Sequence, residues 1–194
     1  MTKQEFKDIL AADLARFNGK TPGFKDLILR NEAFYIWKYI YHMRKIEYHG
    51  SLGGLHKLAN LWHWYGLKHL QFKLHLAIYP NTIGPGFRMF HVGDYGHIGP
   101  NVKIGKNCTI VSGVVFGNKT KDEDCRPVTV GDNVYFGIGV KVIGPVHIGN
   151  NVTIGANAVV TKDIPDNAIV GGVPAKVIKI KKDRQRFSRH IFAL

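Results

Sequence analysis

Neutral imidazole can accept a proton near neutral pH, and the stretch RMFHVGDYGHIGP (residues 88–100) carries one at His91. A histidine there can act as a general base toward a hydroxyl. Its neighbours Phe90 and Asp94 bring an apolar ring and a carboxylate close in sequence. Four more histidines, His42, His49, His56 and His63, recur every seventh residue and suggest a row of metal ligands. Metal histidines on one helix come instead at i and i+4. The glycines of HGSLGG (residues 49–54) also interrupt any helix that would align the four, so the expectation is a scattered, partly buried set and no metal. Cys108 and Cys125 form no CxxC pair and are too few for a disulfide framework, so both are expected as free thiols.

The elements that must hold such a base fall into three segments. At 194 residues and 45% hydrophobic content the chain can bury a core as one domain with an extension. Residues 1–77 place apolar side chains at helical spacing (Phe6, Ile9, Leu10, Leu14, Phe17), followed by the aromatic NEAFYIWKYIYHMRKIEY. Breaks at NGKTPG and HGSLGG leave room for two to four helices. The start MTKQEFKDILAADL has charges where a secretory signal needs an apolar core, and no apolar run reaches membrane-spanning length. The expectation is a cytoplasmic protein, with membrane contact left open.

Net charge is +13, distributed unevenly. Residues 1–77 carry 12 Lys and Arg against 6 Asp and Glu, residues 78–176 carry 9 against 7, and residues 177–194 carry 6 against 1. A basic tail without a reading module does not indicate nucleic acid, so none is expected as a partner.

Residues 78–176 follow a period of six. Ile98, Ile104, Ile110 and Phe116 are six apart, and Val130, Phe136, Val142, Ile148, Ile154 and Val160 repeat the spacing in a second register. Glycine usually follows the aliphatic residue, and a small or β-branched residue stands four after it, Cys108 among them. This period fits neither an amphipathic helix nor a hairpin sheet; it is that of a parallel β-helix, in which stacked coils bury an aliphatic column. The polar GNKTKDEDCRPVT leaves the coil as a loop at about residues 117–129. In solenoids such insertions collect on a binding face. The expected fold is mainly β: a β-helix after an α-helical N-terminal region, with a basic tail at 177–194.

The repeats IGKNCT, VGDNVY, IGNNVT and IGANAVVTKDIPDN, closed by GGVPAKVI, resemble the hexapeptide-repeat acyltransferases. That resemblance implies a left-handed β-helix. The order of helices, histidine, polar loop ending RPVTVGDN, and VPAK looks most like the serine acetyltransferase branch, and the aromatic helix resembles its shorter relatives that acetylate capsular or exopolysaccharide sugars. The resemblance implies acetyl transfer from acetyl-CoA to a hydroxyl, His91 as general base, and a homotrimer with active sites between subunits. It also implies CoA contacts at Gly117, at Gly137 and Ile138, and at Gly155 and Ala156, with Lys162 and Lys176 toward the CoA phosphates. Ile138 departs from the small residue usual there.

Departures cluster on the acceptor side. A serine acetyltransferase has an acid directly before its histidine, where this chain has Phe90, and an arginine and second histidine before the loop proline, where it has Asp124, Cys125 and Arg126. The acid that orients the histidine falls near Ala77, leaving that role open, with Asp94 a candidate by proximity alone. A zwitterion needs paired charges, whereas Phe90, Asp94 and Arg126 suit a sugar. A carbohydrate hydroxyl is therefore the expected acceptor, with serine the alternative. A zinc hydratase using His91, His97 and His147, and a noncatalytic trimeric scaffold, are the readings from other classes.

Overall fold

A computed structural model describes residues 1–17, 19–118 and 127–181. Four helices come first: α1 (Lys3–Ala15), α2 (Phe24–Ile28), α3 (Glu32–Gly50) and α4 (His56–Leu74). The strands are β1 (Leu76–Ile78), β2 (Arg88–Phe90), β3 (Gly96–Ile98), β4 (Val102–Ile104), β5 (Thr109–Val111), β6 (Val115–Asn118), β7 (Val128–Val130), β8 (Tyr135–Phe136), β9 (Lys141–Gly144), β10 (His147–Ile148), β11 (Thr153–Ile154), β12 (Val159–Val160), β13 (Ala168–Gly171) and β14 (Lys176–Ile180).

The strands form three parallel sheets, the faces of a triangular prism. One runs β1-β3-β6-β9-β12, the second β4-β7-β10, and the third β2-β5-β8-β11-β13, closed by β14 in antiparallel register. The five strands of the first sheet mark five coils of a left-handed parallel β-helix. Every aliphatic or aromatic residue of the six-residue column, from Ile98 to Val160, is buried, and so are the small residues between, including Cys108. Each buried side chain contributes roughly 1.5–3 kcal/mol, which only the stack can supply. The Cys108 thiol is pushed up to about 12 by burial, as suits an interior filler.

The corners are made by asparagine. Asn107, Asn133, Asn151, Asn157 and Asn167 all take positive φ of 55–60°, a conformation asparagine tolerates better than other side chains.

The coil begins earlier than its regular spelling. Ile78, Ile83 and Met89 are buried, and they pair with Ile98, Ile104 and Ile110 of the next coil. The nine-residue gap between Met89 and Ile98 suggests a strand free of the repeat, but β2 is packed in the stack. The three extra residues sit in the corner after it.

The helices fold back on this first coil. α3 and α4 pair antiparallel, and Arg44 of α3 is the latch. It is 2% exposed, pairs with Asp13 of α1 at 2.8 Å and Glu47 at 3.0 Å, and donates to the carbonyls of Ile83 and Gly84. Asp13 in turn accepts from the Phe87 N–H and Glu47 from the Asn81 N–H, so both carboxylates are tied to the coil. Tyr39 adds a second tie, accepting from the Ile78 N–H and donating to its carbonyl.

Candidate active site

His91 stands at the corner just past β2, in left-handed backbone at φ 58°. Such a conformation costs a non-glycine residue about 1–2 kcal/mol, and strain of this kind collects where a side chain must be aimed. The aim is supplied by the helices. The Asn31 side chain accepts from the Ala33 N–H and starts α3, which puts Glu32 at its first position, where a carboxylate is favoured by the helix dipole. From there the Glu32 Oε1 lies 3.0 Å from His91 Nδ1. The carboxylate can only accept, so Nδ1 is the donor, and in a neutral ring held this way Nε2 is the nitrogen with the lone pair; the side chain is 68% exposed. His75, in left-handed backbone at the end of α4, donates through Nδ1 to the Gly93 carbonyl at 3.0 Å and braces the same corner.

Phe90 is half-buried, and its ring is 6.4 Å from that of His91. The Arg88 guanidinium stands over it at 4.0 Å. Asp94 is engaged with Ser112, whose Oγ accepts from the Asp94 N–H and donates to its carboxylate. The carboxylate that reaches His91 is that of Glu32, across 59 residues of sequence.

The ladder registers place other expected residues beside this corner. Phe90 pairs with Val111, Ile110 with Phe136, Phe136 with Ile154, and Ile154 with Val170. Continuing these registers past the strands, one residue beyond Phe90 and Val111 and two beyond Phe136, Ile154 and Val170, His91, Ser112, Ile138, Ala156 and Gly172 form a single column down one edge of the prism. At about 4.8 Å per rung, Ile138 and Ala156 lie roughly 10 and 14 Å along the edge from His91. Ile138 is 45% exposed and Ala156 is exposed beside it. Lys176 pairs with Gly171 and closes the column at its far end.

Gly117 and Lys162 lie on another edge. Gly117 pairs with Ile143, and Val160 with Val142, so Lys162 follows the sheet of β6, β9 and β12 rather than that of β2. Arg126 and most of the polar loop lie outside the described residues, as do Cys125 and the tail from residue 182.

The glycines of the column have a structural reason of their own. A Cβ at Gly137 would meet the Ala156 backbone nitrogen at 2.7 Å, and one at Gly155 the Val170 carbonyl at 3.3 Å. Close stacking of coils therefore calls for Gly137 with or without a ligand.

The three histidines of the zinc reading are kept apart. His91 follows the third sheet, His97 lies in β3 of the first with Nδ1 on the Phe116 carbonyl, and His147 lies in β10 of the second with Nδ1 on Thr129. Among the described residues no three histidine, cysteine or acidic side chains are grouped to hold a metal.

The expectation for the seven-spaced histidines is corrected. They come together across the α3–α4 hairpin, since antiparallel helices bring residues from the two sides of the glycine break face to face. His42 and His63 meet Nδ1 to Nδ1 at 3.0 Å, His49 and His56 at 2.9 Å, and the rings of His49 and His63 stack at 5.5 Å. Sequence reading missed Glu32, Arg44 and Asp13. Glu32 looks like an ordinary first-turn acid, and nothing local marks the other two as partners.

Residues 127–162 match the bacterial transferase hexapeptide (six repeats), and residues 97–121 the hexapeptide repeat of succinyl-transferase. The serine acetyltransferase of Mycobacterium tuberculosis is 47% identical over 81 residues, 42% of this chain and 35% of that protein. That of Staphylococcus aureus strain Mu50 is 42% identical over 82 residues, 42% of this chain and 38% of that protein. The matches thus span a little over a third of the length of these curated relatives. Among solved structures, the serine acetyltransferase of Neisseria gonorrhoeae superposes with a TM-score of 0.70 at 23% identity, covering 97% of this chain and 71% of that one. The same enzyme in complex with serine gives 0.68 at 23% identity, covering 91% and 70%. A serine acetyltransferase in complex with CoA gives 0.63 at 22%, covering 91% and 71%. The matched segments are the ones whose side chains fill the coils, and what they share with these proteins is the hexapeptide repeat of bacterial transferases.

Proposed function

We propose that the protein transfers an acetyl group from acetyl-CoA to a hydroxyl, with His91 as general base and Glu32 holding it. The observation that carries this is the Glu32–His91 hydrogen bond, which fixes the Nδ1–H tautomer and leaves Nε2 free at the head of the corner column. In the reaction Nε2 takes the hydroxyl proton as the oxygen attacks the thioester carbonyl. The C–S bond then breaks, and the CoA sulfur leaves with the proton from the imidazolium. Glu32 offsets the charge that forms on the ring. The column fits an extended donor: Ala156 is small and exposed, and Lys176 at its far end suits a phosphate. Gly117 and Lys162, on a different edge, would meet a donor on this column only from a neighbouring copy, which is the arrangement of a trimer with inter-subunit sites.

Serine is the acceptor that the relatives support, since the curated matches are named serine acetyltransferase and one solved neighbour holds serine. A second reading, a carbohydrate hydroxyl, rests on Phe90. Where the serine enzymes carry an acid, this chain presents an aromatic ring beside the base, suited to the apolar face of a sugar.

The test is thiol release from acetyl-CoA on serine and on a panel of sugars, with His91→Ala as control. We expect turnover that falls by about 10²–10⁴ in the variant. Turnover that survives His91→Ala would remove the mechanism, and an absence of any acetyl transfer would leave the scaffold reading.

A further inference from the structure

Helix α4 buries Leu67, Leu70 and Leu74 on one side. On the other, Leu58, Leu61, Trp62, Tyr65 and Phe72 are 68–87% exposed. At about 100° per residue these five share one arc of roughly 100°, opposite the buried leucines. Lys57 and Lys68 flank one margin of that arc and Lys73 the other, with the Lys73 ammonium above the Tyr35 ring at 3.9 Å. The helix contains no Asp or Glu.

Exposed His69 is the one polar residue within the arc; an apolar strip of this length marks an interaction site, and its borders identify the partner. We propose that α4 docks on the surface of an anionic lipid bilayer, its leucines and aromatics in the headgroup boundary and its lysines against lipid phosphates. Aromatic and aliphatic residues on one arc with lysines along both edges is the composition of a helix that lies in a membrane interface. Crossing is excluded for the described residues, because no helix is long and apolar enough. A second copy of the helix is the poorer partner: pairing two such faces would bring lysine margins together with no acid on either helix to pair them. An anionic surface supplies the missing charge. The proposal is independent of the acetyl transfer argued above.

The experiment is flotation of the full chain with vesicles of phosphatidylcholine alone and of equal parts phosphatidylcholine and phosphatidylglycerol. Binding is expected to the anionic vesicles only, weakening with salt. The double variant Trp62→Ser/Phe72→Ser should lower it at least tenfold, and Lys57→Gln and Lys68→Gln about fivefold each. Both sets leave the buried leucines intact, and circular dichroism checks their fold. No recovery with anionic vesicles overturns the proposal. Undiminished binding of the double variant also does so, assigning the attraction to the basic tail. Light scattering that shows a smaller assembly in the double variant than in the parent gives the face to a second copy instead.

Discussion

The Glu32 carboxylate and the His91 imidazole meet at 3.0 Å, although one opens α3 and the other stands just past a β-strand, 59 residues later. Where the resemblance leads one to expect an acid upstream of His91 the chain has Ala77, and the carboxylate that reaches the ring comes from a helix. In the proposed mechanism Glu32 positions His91 without touching substrate, so its loss should be smaller than that of His91. We expect Glu32→Ala to lower kcat by about 10–100-fold with KM for acetyl-CoA little changed, and Glu32→Gln, which can still accept from Nδ1–H, to recover part of the loss. Nitrogen chemical shifts of the His91 ring read the cause directly: the parent should show the Nδ1–H tautomer and Glu32→Ala a mixture. An unchanged tautomer would assign Glu32 to structure alone.

The carbohydrate reading rests on Phe90. If an acid beside the base is what grips an ammonium group, Phe90→Asp should raise the ratio of serine to sugar turnover by about tenfold or more, because a buried polar contact discriminates far better than an apolar one. Competition between serine and sugars in one thiol-release assay measures the ratio. A ratio that does not move would show that serine recognition, if present, is built elsewhere.

The coils were legible because a period of six can be satisfied by few structures. From Ile98 to Val160 each column residue is buried as the spacing requires. Legibility fails where chain order and space part. The first coil is hidden by uneven spacing among Ile78, Ile83 and Met89, although stacking on the second coil holds all three in the core. The histidines of α3 and α4 look scattered along the chain, yet the hairpin pairs them. Glu32 and Asp13 act at long range, through contacts that no local pattern encodes.

The Arg44 latch should be costly to open. Burial works against its charge, but Asp13 and then Glu47 outweigh it and raise the guanidinium further above its ordinary range. Arg44→Ala would leave two carboxylates, 0% and 6% exposed, facing each other without a cation. The expected loss is about 3–5 kcal/mol, read as a drop in the denaturant midpoint. Because the same latch seats α3, a milder Glu47→Gln variant should also lower turnover without touching His91.

His42, His49 and His63 make the helical hairpin acid-sensitive. Burial, then His42, His49 and Lys45, hold the His63 imidazole down at about 4, while burial and Lys38 lower His42, and burial, Lys45 and His56 lower His49. Tyr41 and Tyr48 are the other titratable rings against them, and none of these neighbours is acidic. In the unfolded chain each imidazole titrates near 6.5. Below that pH the unfolded state therefore binds protons that the folded hairpin refuses, so stability falls as pH drops from about 6.5 toward 4, and is full above it. Solvent screening at these half-exposed positions keeps the loss to about 1 kcal/mol. Denaturant unfolding at pH 7.5 and pH 5 should show it, and His63→Gln should flatten the difference. An equal slope in that variant would place the acid sensitivity outside the hairpin.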